Sequence, residues 1–400
     1  MLGSAVPGRL VVAITGIVTA VAVGVAAIVL TGTSDESPHG SRAPISLGMG
    51  TQLHSVACAS AHFCVAVGAY SPGGSSDHLR GLVESWNGGT WAISSTPNPA
   101  EDTEFHGVSC KSPIECIAVG SAGAGGATAR RAFALRWNGF SWSSVPVQGP
   151  QQGSQLEAVT CPAPKSCVAV GSSIAAGFPN SLIETWNDGA WSIASVPSPA
   201  RSADSWLNAV TCSTPRSCVA VGAYSTSGDT DDPVSTTLVE AWNGASWAVI
   251  PSPTPGAGNL GALASVACEV PDSCIAVGNY SDVNDPYRVD SHGLVEDWNG
   301  TTFSVAPEPN EASQGALQAI TCSKPLWCVA VGSSMGVAYG STRTLAQVWN
   351  GTAWTVAAHA ISGALEAVAC PAPTTCLAVG EHSPSDSVQQ ALGEWLGGLT

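Results

Sequence analysis

Fourteen cysteines fall in seven pairs of one spacing, C-x5-C, and no other feature of the chain restricts its fold so tightly. The pairs are Cys58/Cys64, Cys110/Cys116, Cys161/Cys167, Cys212/Cys218, Cys268/Cys274, Cys322/Cys328 and Cys370/Cys376, with none left over. The first cysteines of successive pairs lie 52, 51, 51, 56, 54 and 48 residues apart, so the chain is a tandem array of seven units. A unit of that length buries its apolar face only against its neighbours.

Each unit reads as four short strands. In the third, Leu156 to Thr160 precedes the turn Cys161-Pro-Ala-Pro-Lys-Ser-Cys167. Val168 to Gly171, a long loop, Leu182 to Trp186, the turn Asn187-Asp-Gly189 and Trp191 to Ile193 then follow. The runs are β-branched or aromatic and bounded by Gly, Pro, Asn and Ser, and no sustained 3.6-residue period competes with them. Asn-Gly recurs at Asn87, Asn138, Asn243, Asn299 and Asn350, which predicts type I′ hairpin turns with positive φ at both central positions. Pairs such as Trp86/Trp91 and Trp242/Trp247 flank these turns and are expected to pack across strands, with Phe303 as the second aromatic of the fifth unit. The sequons Asn299-Gly-Thr301 and Asn350-Gly-Thr352 coincide with the turns and read as turn chemistry.

Seven antiparallel four-stranded units, with small Ala and Gly in the second strand letting neighbours approach, predict an all-β seven-bladed β-propeller over residues 43–400. An open solenoid is the alternative, but the seventh unit reads as only three strands, ending after Trp395. The alternating segment Ala43-Pro-Ile45-Ser-Leu47-Gly, residues 43–48, is expected to supply the missing outer strand and so remove exposed edges.

Upstream, Leu10 to Leu30 is a run of 21 residues without a charge. As a helix it would be about 31 Å long, enough to cross a bilayer. Residues 10–30 are therefore expected to be a transmembrane signal-anchor, with 1–9 cytoplasmic and 31–42 a linker. A cleaved signal peptide is the alternative, although its apolar region is normally shorter. Arg9 before the run and Asp35 and Glu36 after it leave everything beyond Leu30 on the extracytoplasmic side of the cell membrane. That compartment permits disulfides. Identical pairs spaced unlike C-x2-C or C-x4-C do not suit zinc, so each pair is expected to close on itself across its five-residue turn.

Thirteen Lys and Arg stand against 29 Asp and Glu, a net charge of -16, and no basic cluster exists to neutralise a phosphate backbone. Nucleic acid is excluded as a partner. In a propeller the cysteine turns and the Asn-Gly turns share one face. The other face collects the long connections, among them Tyr70 to Gly81, Ser121 to Arg131, Tyr224 to Thr237, Tyr280 to Gly293 and Ser333 to Thr344. Binding residues concentrate in loops on a rigid scaffold, so that face is the candidate site.

One inner-strand position, repeated around the array, is expected to ring the channel mouth there: His54, His106, Glu157, Asn208, Ala264, Gln318 and Glu366. Two histidines and a carboxylate could ligate Zn or Fe, but hydrogen bonding to inner-strand edges and channel water is the favoured role, and neither a metal nor another cofactor is expected. Asp229, Asp231, Asp232, Asp282, Asn284, Asp285 and Asp290 crowd the loops of units four and five without the Ca²⁺-loop spacing, and read as a solvated acidic rim.

The repeat resembles the kelch and Asp-box (BNR) propeller superfamilies in its period and its aromatic-turn-aromatic hairpin. Ser85-Trp-Asn-Gly-Gly-Thr-Trp91 looks like a degenerate Asp-box turn with Asn87 in place of the Asp. Together, Cys-Val-Ala-Val-Gly and Trp-Asn-Gly-x-x-Trp are similar to cysteine-stapled propellers of exported bacterial proteins. The resemblance implies a fold, not an activity. Asp-box propellers include sialidases, which would need an arginine cluster, a Tyr nucleophile and a Glu partner. Arg80, Arg130, Arg131, Arg288 and Arg343 lie on or near the candidate face, but no motif assembles them with a tyrosine. The expected function is a non-catalytic binding module for a protein or glycan, with a sialidase-like glycoside hydrolase or a lyase as the alternative.

Overall fold

Cys-Val-Ala-Val-Gly is apolar at consecutive positions rather than alternate ones, which predicts a strand covered on both faces. In unit one that strand, Phe63–Tyr70, is buried from Cys64 to Ala69, and its counterparts Glu115–Ala122 and Ser217–Ser225 are nearly as enclosed. The computed structural model describes residues 50–397 apart from the segments 73–77, 124–128, 151–152, 200–201, 227–234, 256–259, 282–290, 308–314, 324–326, 336–341, 359–360, 373–374 and 386–387. The expected anchor at 10–30, the closing strand at 43–48 and the acidic loop residues from Asp229 to Asp232 and Asp282 to Asp290 lie outside the described residues. Among the described residues no helix is long and apolar enough to cross a membrane.

Units one to six each form a four-stranded antiparallel meander, for example Gln52–Ser60, Phe63–Tyr70, Arg80–Trp86 and Trp91–Ile93 in unit one. The described part of unit seven has three strands, Gly363–Ala372, Thr375–Ser385 and Val388–Gly397. Units four and five are also joined by one parallel pairing, Ser235 with Leu260. Each first strand packs beside the first strand of the next unit, and that of unit one packs beside that of unit seven. The apolar cluster linking units one and seven contains Leu53, Trp86, Leu377 and Val379, and Trp86 and Trp395 meet across it at 5.8 Å. An apolar cluster formed by facing sheets lies between each unit and the next.

All seven cysteine pairs are disulfides at a sequence separation of six: Cys58–Cys64, Cys110–Cys116, Cys161–Cys167, Cys212–Cys218, Cys268–Cys274, Cys322–Cys328 and Cys370–Cys376. No free cysteine remains. Each bridge joins the first strand of its unit to the second, as expected, but the expectation that it closes a five-residue turn is corrected. The strands run on past the cysteines. Cys58 faces Cys64 within the ladder, as Cys110 does Cys116, Cys212 does Cys218, Cys268 does Cys274 and Cys322 does Cys328. In unit one Ser60 still pairs with Phe63 beyond the bridge, and only two residues turn. The second cysteines are accordingly strand residues of the core and not surface turn residues. Cys64, Cys116, Cys167, Cys218, Cys274, Cys328 and Cys376 are 0 to 4% exposed, each within one of the apolar clusters between units. Their role is structural, since a sulfur bonded and enclosed there cannot meet a ligand at the mouth. The adjoining turns share that end of the unit: the Trp86 indole donates to the Ala61 carbonyl (3.2 Å), and that of Trp137 to Pro113 (3.0 Å).

Two further local expectations are corrected. The Asn-Gly turns are not type I′. In unit one only Gly88 has positive φ (94°), while the Asn87 side-chain oxygen accepts from the backbone of Gly89 and Thr90, both at 3.0 Å. Asn243, Asn299 and Asn350 cap their turns in the same way, so the side chain replaces the second positive φ. Positive φ at both central positions occurs instead at Asp188 (43°) and Gly189 (118°). Secondly, the long loop read between Gly171 and Leu182 is a hairpin. Ser166–Ala175 pairs continuously with Phe178–Asn187 through a two-residue turn at Ala176 and Gly177, both with positive φ. Polar side chains in that stretch hid its alternation.

The third strand holds buried polar groups opposite the alanine of the second, with Glu184, Glu240 and Glu296 in equivalent places. Glu184 accepts from the backbone of Gln148 (2.9 Å) and Gly149 (2.8 Å), and Glu296 from the Ser252 hydroxyl (2.8 and 3.1 Å). These acceptors pin the connection between units to the unit that follows. Neither Glu240 oxygen has a hydrogen-bond partner, and burial pushes its pKa up to about 8. The Glu296 pKa is pushed to about 7 by burial, against the Ser252 hydrogen bond. A carboxyl whose pKa is raised in the fold stays protonated while the unfolded chain ionises. Its contribution is therefore complete below about pH 4 and drains away as pH rises toward 8, by about 3 kcal/mol at pH 7 for Glu240. Glu240→Gln is expected to flatten the fall in stability between pH 5 and pH 8, read from urea midpoints at the two values. Parallel midpoints for variant and parent would show that Glu240 is ionised.

Candidate functional site

In every unit the pairing of the first strand with the second slips by one residue at the same place. The extra residues are His54, His106, Glu157, Asn208, Ala264, Gln318 and Glu366, the seven positions picked from the sequence. A bulge leaves its residue outside the ladder and re-aims the side chain. Here all seven line one cavity of about 450 Å³ enclosed by the first strands of the seven units.

The glycine that ends Cys-Val-Ala-Val-Gly makes the bulge possible. A Cβ on Gly68 would fall inside contact distance of the Gln52 carbonyl oxygen and 2.9 Å from the Leu53 Cα, and Gly120, Gly171, Gly222, Gly278, Gly332 and Gly380 stand the same way. The expectation that this glycine lets neighbouring units approach is corrected: the close approach is to the first strand of its own unit. The alanine two residues earlier does serve the neighbour, since Ala66, Ala118 and Ala169 sit in the clusters between units.

Three of the ring residues meet. The His106 Nδ1 lies 2.8 Å from Glu157 and its Nε2 lies 3.2 Å from the Ser121 hydroxyl. The His54 ring approaches His106 edge-on at 6.0 Å, and its Nδ1 is 3.7 Å from Glu104. Glu104 accepts from Arg130 at 2.8 Å, and Arg130 also donates to Ser121 at 3.1 Å. Asn208 reaches across to Ala264's unit to donate to the Leu263 carbonyl (2.9 Å). On the opposite side Glu366 shares a smaller recess with Glu381, which accepts from Gln52 at 2.9 Å. Asn208 and Gln318 join His54, His106, Glu157 and Glu366 around a mouth of about 330 Å³ without joining the ion pairs.

Environment separates the two histidines. Burial and then the charge of His106 lower the His54 pKa, so its ring stays neutral. Burial also opposes charge on His106, but Glu157, through its charge and hydrogen bond, and Glu104 outweigh it and hold the ring protonated to higher pH. Glu157 is held below the ordinary carboxylate range because His106 overcomes its burial. The Glu104 pKa is lowered against burial by His106 and Arg130. Glu366 moves the other way, raised by burial and then by Glu381. Among the described residues no group of three or more His, Cys, Asp or Glu is arranged to hold a metal ion.

Sequence reasoning missed Glu104, Ser121, Gln52 and Glu381, and placed Arg130 near the candidate face without its partners. A signal was present: Gln52 and Glu104 each stand two residues before a ring position, on the same side of the strand. Of the other arginines weighed for a sialidase site, Arg80, Arg131 and Arg343 are exposed strand-end residues, and Arg288 lies outside the described residues.

No protein-family profile matches the chain, and no curated protein matches it in sequence. Its likeness to solved structures is extensive. YCF48 bound to D1 peptide aligns with 87% of this chain and 94% of that chain, at 13% identity and a TM-score of 0.54. YCF48 from Cyanidioschyzon merolae gives 13% identity and a TM-score of 0.51 over 87% and 96%. The fold is a β-propeller. The GH74 xyloglucanase from Xanthomonas campestris is a further propeller match, at 13% identity and a TM-score of 0.53 over 87% of this chain, but the chain spans only about half (55%) of that enzyme. Identities this low carry the propeller architecture alone. Within it, the bulge ring stands where the strands end toward the connections between second and third strands, away from the disulfides.

Proposed function

We propose that the chain is a seven-bladed β-propeller, held outside the cytoplasm by a membrane-spanning segment at residues 10–30, that binds a protein or glycan at its loop-rich face without turning it over. The bulge ring carries this reading. Seven repeats place one side chain each around a single opening, yet the side chains are not alike, so the opening carries a neutral imidazole on the first blade, a charged pair on the second and third, and amide or small groups over the fourth to sixth. Convergent, pre-aimed polar groups of unlike chemistry around one concavity are what oriented recognition of an asymmetric ligand requires. Seven repeats and the packing of the first unit on the last support the blade count. Complete pairing of the cysteines supports an oxidising compartment. YCF48, similar in fold, was captured with a peptide, which fits a macromolecular ligand here.

Replacing His106 and Glu157 together by Ala removes a charge pair without stranding either partner. Crosslinking in cells that express the full chain is expected to recover a partner roughly tenfold less well from this variant than from the parent, at unchanged melting temperature. Equal recovery would place the partner elsewhere. A hydrolase or lyase is favoured by one observation: Glu157 and Glu366 line the same mouth with pKa values displaced in opposite directions, the division an acid and a base need. Under that reading Glu366→Gln abolishes turnover of glycan substrates while ligand is retained.

A further inference from the structure

A second concavity lies away from the mouth, between the third and fourth units. The residue after the second cysteine is core in the other units: Val65, Ile117, Val219, Ile275, Val329 and Leu377 are 0 to 9% exposed. Val168 alone in that column is only partly buried, because a groove of about 560 Å³ opens beside it. At two other interfaces the position before that cysteine is aromatic, Phe63 and Trp327, and packs toward the next unit or the last, whereas unit three has Ser166. A small residue does not by itself open an interface, since Ser217 and Ser273 precede the buried Val219 and Ile275. The opening belongs to this pair of units and not to the repeat.

Its lining has a definite chemistry. Trp242 and Trp247 supply flat apolar surface, Ser166, Asn187, Ser195 and Ser246 supply short hydroxyl and amide groups, and no charged side chain lines it. The Trp247 indole N–H is buried without a hydrogen-bond partner, as are those of Trp191, Trp327, Trp354 and Trp395, so that donor belongs to the repeat and the groove is lined by the ring faces instead. Ser166 pairs with Asn187 and Val168 with Thr185, so the backbone groups of those strands are not free to join an extended peptide. Absence of charge removes the means of holding phosphate, carboxylate or amine. Aromatic faces set among uncharged hydroxyls and amides suit a ring with apolar C–H faces and hydroxyls around its rim.

We infer that the groove between units three and four binds a neutral saccharide, at a site independent of the mouth. The test titrates the purified full chain with maltotriose, cellotriose, xylotriose and N,N′,N″-triacetylchitotriose, read by saturation-transfer NMR and calorimetry. At least one of them is expected to bind with millimolar affinity. Ser166→Phe, which places at this position the side chain found at Phe63, is expected to weaken it roughly tenfold. Asn187→Ala should weaken it in the same direction without filling the space, which keeps the test valid if Ser166→Phe misfolds. The His106/Glu157 double variant should bind the saccharide as the parent does. No binding by the four sugars up to about 10 mM, or parental binding by both groove variants, would overturn the assignment. So would loss of binding in the mouth variant alone, or occupation of the groove by a proline-rich peptide probe.

Discussion

Full reduction of the chain is expected to unfold it. In the chain-entropy account a closed loop of about seven residues contributes about 2.4 kcal/mol, which amounts to about 17 kcal/mol for seven bridges and exceeds the 5–15 kcal/mol that usually holds a domain together. Each bridge also fastens the first strand, which carries the ring, to the second strand of its sheet. Loss should therefore spread through the array, since each unit is stable only against its neighbours. The measurement is far-UV circular dichroism and thermal melting after quantitative reduction in dithiothreitol, with thiols counted in parallel. A melting temperature unchanged with fourteen free thiols would show that the sheets need no staples.

Alanine at a bulge-facing glycine is expected to be nearly as damaging, for a different reason. In Gly120→Ala the new methyl group would collide with the Glu104 carbonyl oxygen and stand 2.9 Å from the Phe105 Cα, backbone atoms that cannot step aside. Overpacking of this kind costs about 3 kcal/mol. If the sheet yields, the bulge is lost and His106 rejoins the ladder, away from Glu157. Urea denaturation reads the first effect, and the imidazole titration of His106 by NMR reads the second, its pKa falling back toward that of a free histidine. Gly89→Ala is the control: its Cβ would meet only the Asn87 side-chain oxygen, at 3.7 Å, and should change stability by less than about 0.5 kcal/mol. Equal stability of the two variants would mean that the glycine column is not what sustains the bulge.

The ring positions were legible before any coordinates because the repeat aligns them. His54, His106 and Glu157 stand four residues before their first cysteines, and that offset recurs in all seven units. Why the position points inward was not legible, since a bulge shows only in the register between two strands. The same holds for the partners. Arg130 is 24 residues after His106, across the connection to the third strand, and nothing local announces that it meets Glu104. Gln52 and Glu381 are farther apart still, and meet only because the last unit packs on the first.

The sequence by itself determined the number of repeats, most of the strand pattern within each and the pairing of the cysteines. All of these are local and are repeated seven times, so each is stated redundantly along the chain. Only the tertiary structure decided the bulges, the enclosure of the second cysteines, the ion pairs at the mouth, the burial of the Glu240 carboxyl and the groove beside Val168. They depend on how one strand or unit meets the next, which has no signature in either strand alone.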